Sequence, residues 1–244
     1  MKFENRTAVI TGGAGNIGRA TAEKFCAMGV SVAITDLNKE GAEKTAEELR
    51  AKGGNVRAYA MDVRNSEDVL GCAERIIKDF GKIDILVNNA GVWKPALLSE
   101  CTEEQWNFMI DVNLNSVFRV TKAFLPSMLE HGYGRIVNLT SIAGEVGLPR
   151  FIGYSSAKAG VLMFTKVLAM ELAKKNITVN CVSPGMIGFG TKPIKATWME
   201  RWGTPAEVAE VIVFLSSDDT SFVTGADCPV DGGRILGPRF ADLD

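Results

Sequence analysis

The chain contains a single histidine, His131. A Ser-His-Asp triad would have to use it, and a histidine-rich metal centre is excluded. It stands in Glu130-His131-Gly132, the pattern of a helix end with a glycine stop, where a cation meets the negative end of the dipole. His131 therefore reads as structural, and no metal site is assigned. The five cysteines (26, 72, 101, 181, 228) are odd in number, scattered and without Cys-x-x-Cys spacing. They read as reduced thiols, mostly core, of a cytoplasmic protein. No apolar run approaches the roughly 20 residues of a membrane helix. The polar opening Met1-Lys2-Phe3-Glu4-Asn5-Arg6 runs directly into Ala8-Val9-Ile10 and is unlike a signal peptide. Charge of one sign is lacking too: 27 basic residues face 29 acidic ones, for a formal net charge of −2. That balance offers no polyanion-binding surface, so nucleic acid is not an expected partner. Repeats, low-complexity segments and linkers are absent, and residues 1–244 read as one domain.

Short β-branched runs alternate with longer amphipathic stretches. Strands are expected at 7–11, 31–35, 56–61, 83–88, 134–139, 177–182 and 227–230, and helices near 17–28, 38–52, 66–80, 103–130, 154–175 and 205–216. The strands are almost continuously apolar, as they must be when helices cover both faces of a parallel sheet. This alternation predicts a doubly wound α/β fold. The long loops 89–102, 140–153 and 184–204 each follow a strand. Ligands in such folds bind at the carboxyl ends of strands, so these loops are expected to wall one site.

The first strand runs into Thr11-Gly12-Gly13-Ala14-Gly15-Asn16-Ile17-Gly18 and then a helix. Glycines permit a tight turn and close approach to a pyrophosphate, and the helix start supplies free N–H groups and a positive dipole. The plainer alternative is a simple turn. Asp36 closes the second strand, at the distance expected for a carboxylate on a ribose diol. A carboxylate there repels a 2′-phosphate. No Arg or Lys occurs in the glycine loop or directly after Asp36, which argues for NAD over NADP. Capping of the next helix by Asp36 or Asn38 is the alternative.

Tyr154 and Lys158 lie four residues apart in Tyr-Ser-Ser-Ala-Lys, on one helix face, and Ser141 precedes them. A nearby ammonium should lower the phenol pKa from about 10 by roughly 1–3 units. Ser141 could bond a substrate oxygen from the other side. The set suits proton transfer at an oxygen while a cofactor moves a hydride. Tyr-x-x-x-Lys alone also fits an exposed helical pair.

Assembled in order, these residues resemble the short-chain dehydrogenase/reductase family along nearly the whole chain. Thr11 to Gly18 resembles its glycine motif, and Asp62-Val63 the pair that receives the adenine. Asn88-Asn89-Ala90-Gly91 is similar to its N-N-A-G. Asn113, Ser141, Tyr154 and Lys158 match its catalytic tetrad. Pro184-Gly185-Met186-Ile187 resembles the loop behind the nicotinamide, Arg201-Trp202-Gly203-Thr204-Pro205-Ala206-Glu207 the entry to the last helix, and Val230-Asp231-Gly232-Gly233 the family ending. The resemblance implies a Rossmann-type fold of about seven strands. It implies Tyr154 as general acid or base, Lys158 lowering its pKa and holding the nicotinamide ribose, Ser141 orienting substrate, and Asn113 holding a water in a proton relay. The plainer reading of Asn113, compatible with that role, is an amide that interrupts its helix by bonding the backbone. Two departures stand out. Asn16 replaces the middle glycine, where tolerance of left-handed backbone would help. Phe189 stands in the usual threonine position; either Thr191, two places on, makes the carboxamide contact through a shifted loop, or that contact is lost.

A short lid is expected over about 188–200, with Trp93, Phe151, Ile152 and Phe189 on other walls. Lys94, Arg150, Lys192 and Lys195 are scattered rather than clustered. A neutral, fairly apolar alcohol or ketone fits best. The expectation is an NAD(H)-dependent oxidoreductase interconverting a secondary alcohol and a ketone. A 3-oxoacyl thioester reductase, which in this family usually takes NADPH, and a non-catalytic nucleotide-binding regulator are the alternatives. Surplus apolar residues on 103–130 and 154–175, including Val161, Leu162, Phe164, Val167, Leu168, Met170 and Leu172, point with the resemblance to a homotetramer. The tail 236–244, with Phe240 and Leu243 beyond Gly237-Pro238, is expected to pack on a neighbour, or else to fray.

Overall fold

The architecture is seen in a computed structural model, which describes residues 1, 3–188, 190 and 192–237. Phe189, Thr191 and tail residues 238–244, Phe240 and Leu243 included, lie outside the described residues.

The elements alternate along the chain: β1 (Thr7–Thr11), α1 (Asn16–Ala27), β2 (Ser31–Asp36), α2 (Lys39–Ala51), β3 (Val56–Ala60), α3 (Ser66–Phe80), β4 (Ile85–Asn88), α4 (Glu103–Ile110), α5 (Ser116–His131), β5 (Gly134–Leu139), α6 (Ala143–Val146), α7 (Ile152–Leu172), β6 (Ile177–Pro184), α8 (Pro205–Leu215) and β7 (Asp227–Val230). The strands form one 7-stranded sheet in the order β3-β2-β1-β4-β5-β6-β7. Every neighbouring pair is parallel. The order reverses between β1 and β4. Connections leave that point on opposite faces and open a crevice at its carboxyl edge.

Each face of the sheet carries its own core, and β1 shows why its apolar run is continuous. Ala8 and Ile10 pack with Phe25, Leu49 and Ile212 under α1, α2 and α8. Val9 faces the other way, with Ile76, Phe124 and Leu168 of α3, α5 and α7. Burying each such large side chain contributes about 1.5–3 kcal/mol.

The segment 103–130 is not one helix. It divides into α4, a π-helical turn Asp111–Asn115, and α5. Asn113, fully buried, donates from Nδ2 to the Met109 carbonyl at 3.0 Å. That side-chain bond competes with the regular backbone ladder, as polar residues inside helices do. α7 begins at Ile152 rather than 154, which sets Tyr154 and Lys158 in its first two turns. The one-turn α6 follows Ser141 directly and was not expected from the pattern. β4 starts at Ile85 rather than 83; just before it the Asp84 backbone bonds Thr7 and Arg135, and its carboxylate accepts from the Thr7 N–H at 2.9 Å and the Arg6 guanidinium at 2.9 Å. α5 ends at His131, followed by Gly132 at φ 62°, with His131 Nδ1 2.7 Å from the Ser127 carbonyl. His131 is a structural helix-end residue, as its sequence context suggests.

Candidate active site

A cleft of about 950 Å³ lies along the carboxyl edge of the strands. At one end the glycine loop leaves β1. Gly12 has φ +64°, and a Cβ there would stand 2.9 Å from the Ala90 Cα. A Cβ on Gly18 would meet the Gly12 carbonyl at 2.3 Å. Gly18 thus lets the helix pack beneath the loop, its missing side chain facing Gly12, Gly13 and Asn89. A Cβ on Gly15 would have only the Gly12 carbonyl near, at 3.3 Å, so its outer side is open to the cleft. Gly15 caps α1 without a side-chain bond, which leaves the first-turn N–H groups of Asn16, Ile17 and Gly18 for a ligand. Asn16 is the first residue of α1, outside the left-handed region. The substitution is tolerated because the positive φ falls on Gly12 instead.

Asp36 accepts from the Ala14 N–H at 3.0 Å through Oδ2 and from the Asn38 N–H at 2.9 Å through Oδ1. Capping of α2 belongs to Asn38, which accepts from Gly41 at 3.0 Å. The carboxylate of Asp36 is left tied to the glycine loop at the cleft rim. Exposed Leu37 follows it into the cleft lining. Across this end, the carboxylate of Asp62 is held by a two-pronged pair with Arg64, which keeps it below the usual carboxylate range. Val63 lines the same wall, and Arg64 lies 5.7 Å from the Phe108 ring.

The loop after β4 is laced to the glycine loop. Thr11 Oγ1 accepts from the Asn89 and Ala90 N–H groups at 3.0 and 2.9 Å. Asn89 Nδ2 donates to the carbonyls of Thr11 and Gly12 at 2.9 and 3.0 Å. Asn89 thus braces the cradle. At Gly91 a Cβ would come within 2.9 Å of Asn113 Oδ1 and 3.4 Å of Lys158 Nζ. Only glycine leaves both groups their positions.

Ser141, Tyr154 and Lys158 meet in the cleft. Ser141 is nearly buried, and its Oγ accepts from the Ala143 N–H at 3.2 Å as α6 begins. Lys158 is buried and donates to the Leu139 carbonyl at 2.8 Å. Burial lowers its pKa to about 8. The Tyr154 phenol is pushed up from its ordinary value by burial, opposed by the Ser141 hydroxyl. This corrects the expectation that Lys158 by itself depresses the phenol. Its Nζ points to Leu139 and lies 5.7 Å from the Tyr154 ring centroid. Asn113 sits behind the cleft lining, its amide spent on Val92 and Met109.

At the far side Pro184, Gly185 and Ile187 line the cleft. The Gly185 N–H donates to Val230 at 3.0 Å, and a Cβ there would meet Asp231 at 2.6 Å, so the ending Asp231-Gly232-Gly233 supports this loop. Trp93, Phe151 and Tyr154 form an aromatic run with centroids 5.9 and 6.4 Å apart. Ile152 instead lines a small adjoining pocket with Lys94 and Arg150. Lys192 and Lys195 are exposed. Sequence reasoning missed Leu37, Arg64, Phe108, Leu148 and Trp202 as cleft residues. Arg64 and Leu37 adjoin residues that were picked out. Leu148 and Trp202 carry no local signal.

The model of the family described as enoyl-(acyl carrier protein) reductase matches residues 12–234. The chain is 39% identical to the 3-oxoacyl-[acyl-carrier-protein] reductase of Thermotoga maritima over 97% of this chain and 100% of that protein. It is 40% identical to the cyclohexanol dehydrogenase of an Acinetobacter species, covering 95% of each. The crystal structure of gox2181 superposes with a TM-score of 0.92 at 36% identity, covering 97% of this chain and 98% of that one. The chain belongs to the short-chain dehydrogenase/reductase family, oxidoreductases that act on CH–OH groups.

Proposed function

We propose that the protein is an NAD(H)-dependent enzyme interconverting a secondary alcohol and a ketone. The observation that carries this reading is one cleft holding Asp36 at one end and Ser141, Tyr154 and Lys158 at the other. The open side of Gly15 and the uncapped start of α1 fit a pyrophosphate. Asp36 fits a ribose diol and disfavours a 2′-phosphate. Gly91, Ala90, Pro184, Gly185 and Ile187 would flank the nicotinamide half, and Lys158 its ribose. When bound, the cofactor accepts or supplies the hydride.

This chain's residues govern the proton. Ser141 and Tyr154 present hydroxyls from two elements toward one substrate oxygen. In oxidation Tyr154 takes the hydroxyl proton as the carbinol hydrogen leaves with its electron pair; in reduction it returns that proton. Burial raises its pKa and favours the protonated donor; a neighbouring positive charge favours the phenolate when it acts as a base. Asn113 positions the loop at Val92: both Nδ2 hydrogens go to Val92 and Met109, while Oδ1 accepts from the Val92 N–H and keeps a second lone pair for a relay water.

A homotetramer is part of the reading. Phe118 and Leu129 on α5, with Met163, Val167 and Met170 on α7, are exposed on helices that otherwise pack the sheet. Five unpaired cysteines suit a reducing cytoplasm, and among the described residues no helix is long and apolar enough to cross a membrane.

Several relatives are 3-oxoacyl-[acyl-carrier-protein] reductases, which favours 3-oxoacyl thioester reduction as the second reading. Assays with NAD⁺ or NADH, and with NADP⁺ or NADPH, on sterols, polyols, hydroxyacids, simple ketones and acetoacetyl thioesters separate the two. Turnover of simple alcohols with NAD⁺ is expected. Turnover confined to thioesters with NADPH overturns the first reading, and no turnover at all returns the non-catalytic regulator.

A further inference from the structure

The substrate end of the cleft is built from rings. Trp93 is 67% exposed, an indole that serves no core. Its ring lies 5.9 Å from Phe151, tilted by 51°, and Phe151 lies 6.4 Å from Tyr154 at 67°. The run ends at the phenol oxygen that would meet the reacting carbon's oxygen. Two features hold it in place. Arg150 adopts φ +72°, a left-handed conformation costly for a side chain of its size. Its carbonyl accepts from the Ala96 N–H at 2.7 Å, and Ala96 bridges to Phe151. The strained turn and the bridge stitch the loop carrying Trp93 to the start of α7. Strain kept by a specific contact beside a reactive group is where function is to be sought.

Among the described residues, no charged side chain but Lys158 lines this end of the cleft; Lys94 and Arg150 lie in the small adjoining pocket. Of the described residues that line the cleft, the charged ones are Asp36, Asp62, Arg64 and Lys158. The first three lie at the glycine-loop end, and Lys158 belongs to the tetrad. A carboxylate or phosphate entering between Trp93 and Trp202 would give up water for a wall whose described charged side chain is Lys158 alone.

Resting on the function proposed above, we infer that the substrate is an uncharged secondary alcohol or ketone whose reacting carbon lies in, or directly on, a single ring the size of cyclohexane or benzene. Faces of Trp93 and Phe151 offer stacked and edge contacts to such a ring. A rigid ring also loses less rotational freedom on binding than an open chain of equal carbon count. In the oxidative direction the carbinol hydride passes to NAD⁺ and the hydroxyl proton to Tyr154, leaving the ring ketone and NADH.

The test compares cyclohexanol and 1-phenylethanol with 2-hexanol and 3-hydroxybutyrate, each with NAD⁺. Ring alcohols are expected to show kcat/KM higher by about 10-fold or more. Trp93→Ala should collapse that ratio and Trp93→Phe should restore it. Trp93 is exposed, so the variant is expected to fold; if circular dichroism shows otherwise, Phe151→Leu serves in its place. Equal kcat/KM for ring and chain, a preference for the anion, or an equal loss on all substrates in Trp93→Ala overturns the inference. Absence of turnover with every alcohol, ketone and thioester refutes the function reading separately. The wall is then judged by saturation-transfer NMR of 1-phenylethanol against 2-hexanol. Ring preference that disappears in Trp93→Ala upholds it, and equal transfer overturns it.

Discussion

Asn113 grips the peptide groups of Val92 twice: Oδ1 accepts from the Val92 N–H at 3.1 Å, and Nδ2 donates to the Val92 carbonyl at 2.9 Å. A third bond, to Met109 at 3.0 Å, anchors the same amide in the π-helical turn. The residue therefore couples a helix break to the loop that carries Gly91 and Trp93.

Replacing Asn113 by Ala should therefore cost stability as well as rate. Each polar group left unpartnered away from water costs about 1–3 kcal/mol. Val92 is partly exposed and can recover some of this from solvent. A loss of about 2–3 kcal/mol in denaturant unfolding is expected, with lower kcat. Unchanged stability alongside lost activity would refute the clamp.

Asp36 binds its own loop before it can bind a ribose. Because its carboxylate accepts from Ala14, Asp36→Ala removes a charge-assisted bond from the glycine cradle as well as the diol contact. Such bonds contribute about 1.5–3 kcal/mol, so kcat/KM with NAD⁺ should fall about 10- to 100-fold. Loss of the negative charge should raise activity with NADP⁺ at the same time. Steady-state kinetics with both cofactors decide it. A wild-type enzyme equally active with NADP⁺ removes the basis for the NAD assignment.

How much of this was legible in the sequence depended on distance along the chain. The glycine loop, Asp36, and the Tyr154–Lys158 spacing are local patterns, and they fall in the cleft where expected. The break at 111–115 was legible in part: an amide that interrupts its helix by bonding the backbone was one reading of Asn113, and its bond to Met109 is that local contact, whereas its grip on Val92, 21 positions away, left no trace in the pattern. The motif does not reveal that the missing side chain of Gly18 faces Gly12, Gly13 and Asn89 while that of Gly15 has only the Gly12 carbonyl near it. The phenol's raised pKa was missed for a different reason. Spacing puts Lys158 on the face of Tyr154 but says nothing of the Leu139 carbonyl that competes for the ammonium. Trp202 reaches the cleft only through the bridge between Ile187 and Gly203, a contact with no periodicity.

Tyr154→Phe keeps the ring of the aromatic run and deletes the transferable proton. Removing general acid/base catalysis lowers turnover by about 10²–10⁴-fold. Cofactor affinity, measured by fluorescence titration with NADH, should change little. Retained turnover sinks the catalytic assignment.

Assembly can be probed on α7. Met163, Val167 and Met170 are 59%, 42% and 73% exposed and share one helical face. If this face pairs between subunits, Val167→Glu with Met170→Glu buries charge at the contact and should release smaller species in light scattering. A monomeric wild type ends the tetramer proposal. A version ending at Leu236 tests the tail: unchanged assembly and activity leave residues 237–244 without a role.

Lys158 carries a prediction that separates stability from function. Its folded pKa of about 8 lies below its ordinary 10.5, so the folded protein gives up this proton first. Below about pH 8 the cost of burying the charge is present in full, on the order of 3 kcal/mol. Between about 8 and 10.5 the unfolded chain holds more protons, and stability from this group rises with pH. Lys158→Met keeps the straight chain and removes the charge, but strands the Leu139 carbonyl at about 1–3 kcal/mol. The variant should then match or exceed the wild type at pH 7 by up to about 2 kcal/mol, with activity largely lost. Its advantage should shrink as pH rises toward 10, because the wild type sheds its penalty there. Comparing urea unfolding of the two proteins at pH 7 and pH 9.5 isolates Lys158 from other titrating groups. A wild type more stable than the variant at pH 7, by a margin that does not grow with pH, would show that the buried ammonium is well solvated by its surroundings and that its depressed pKa is not real.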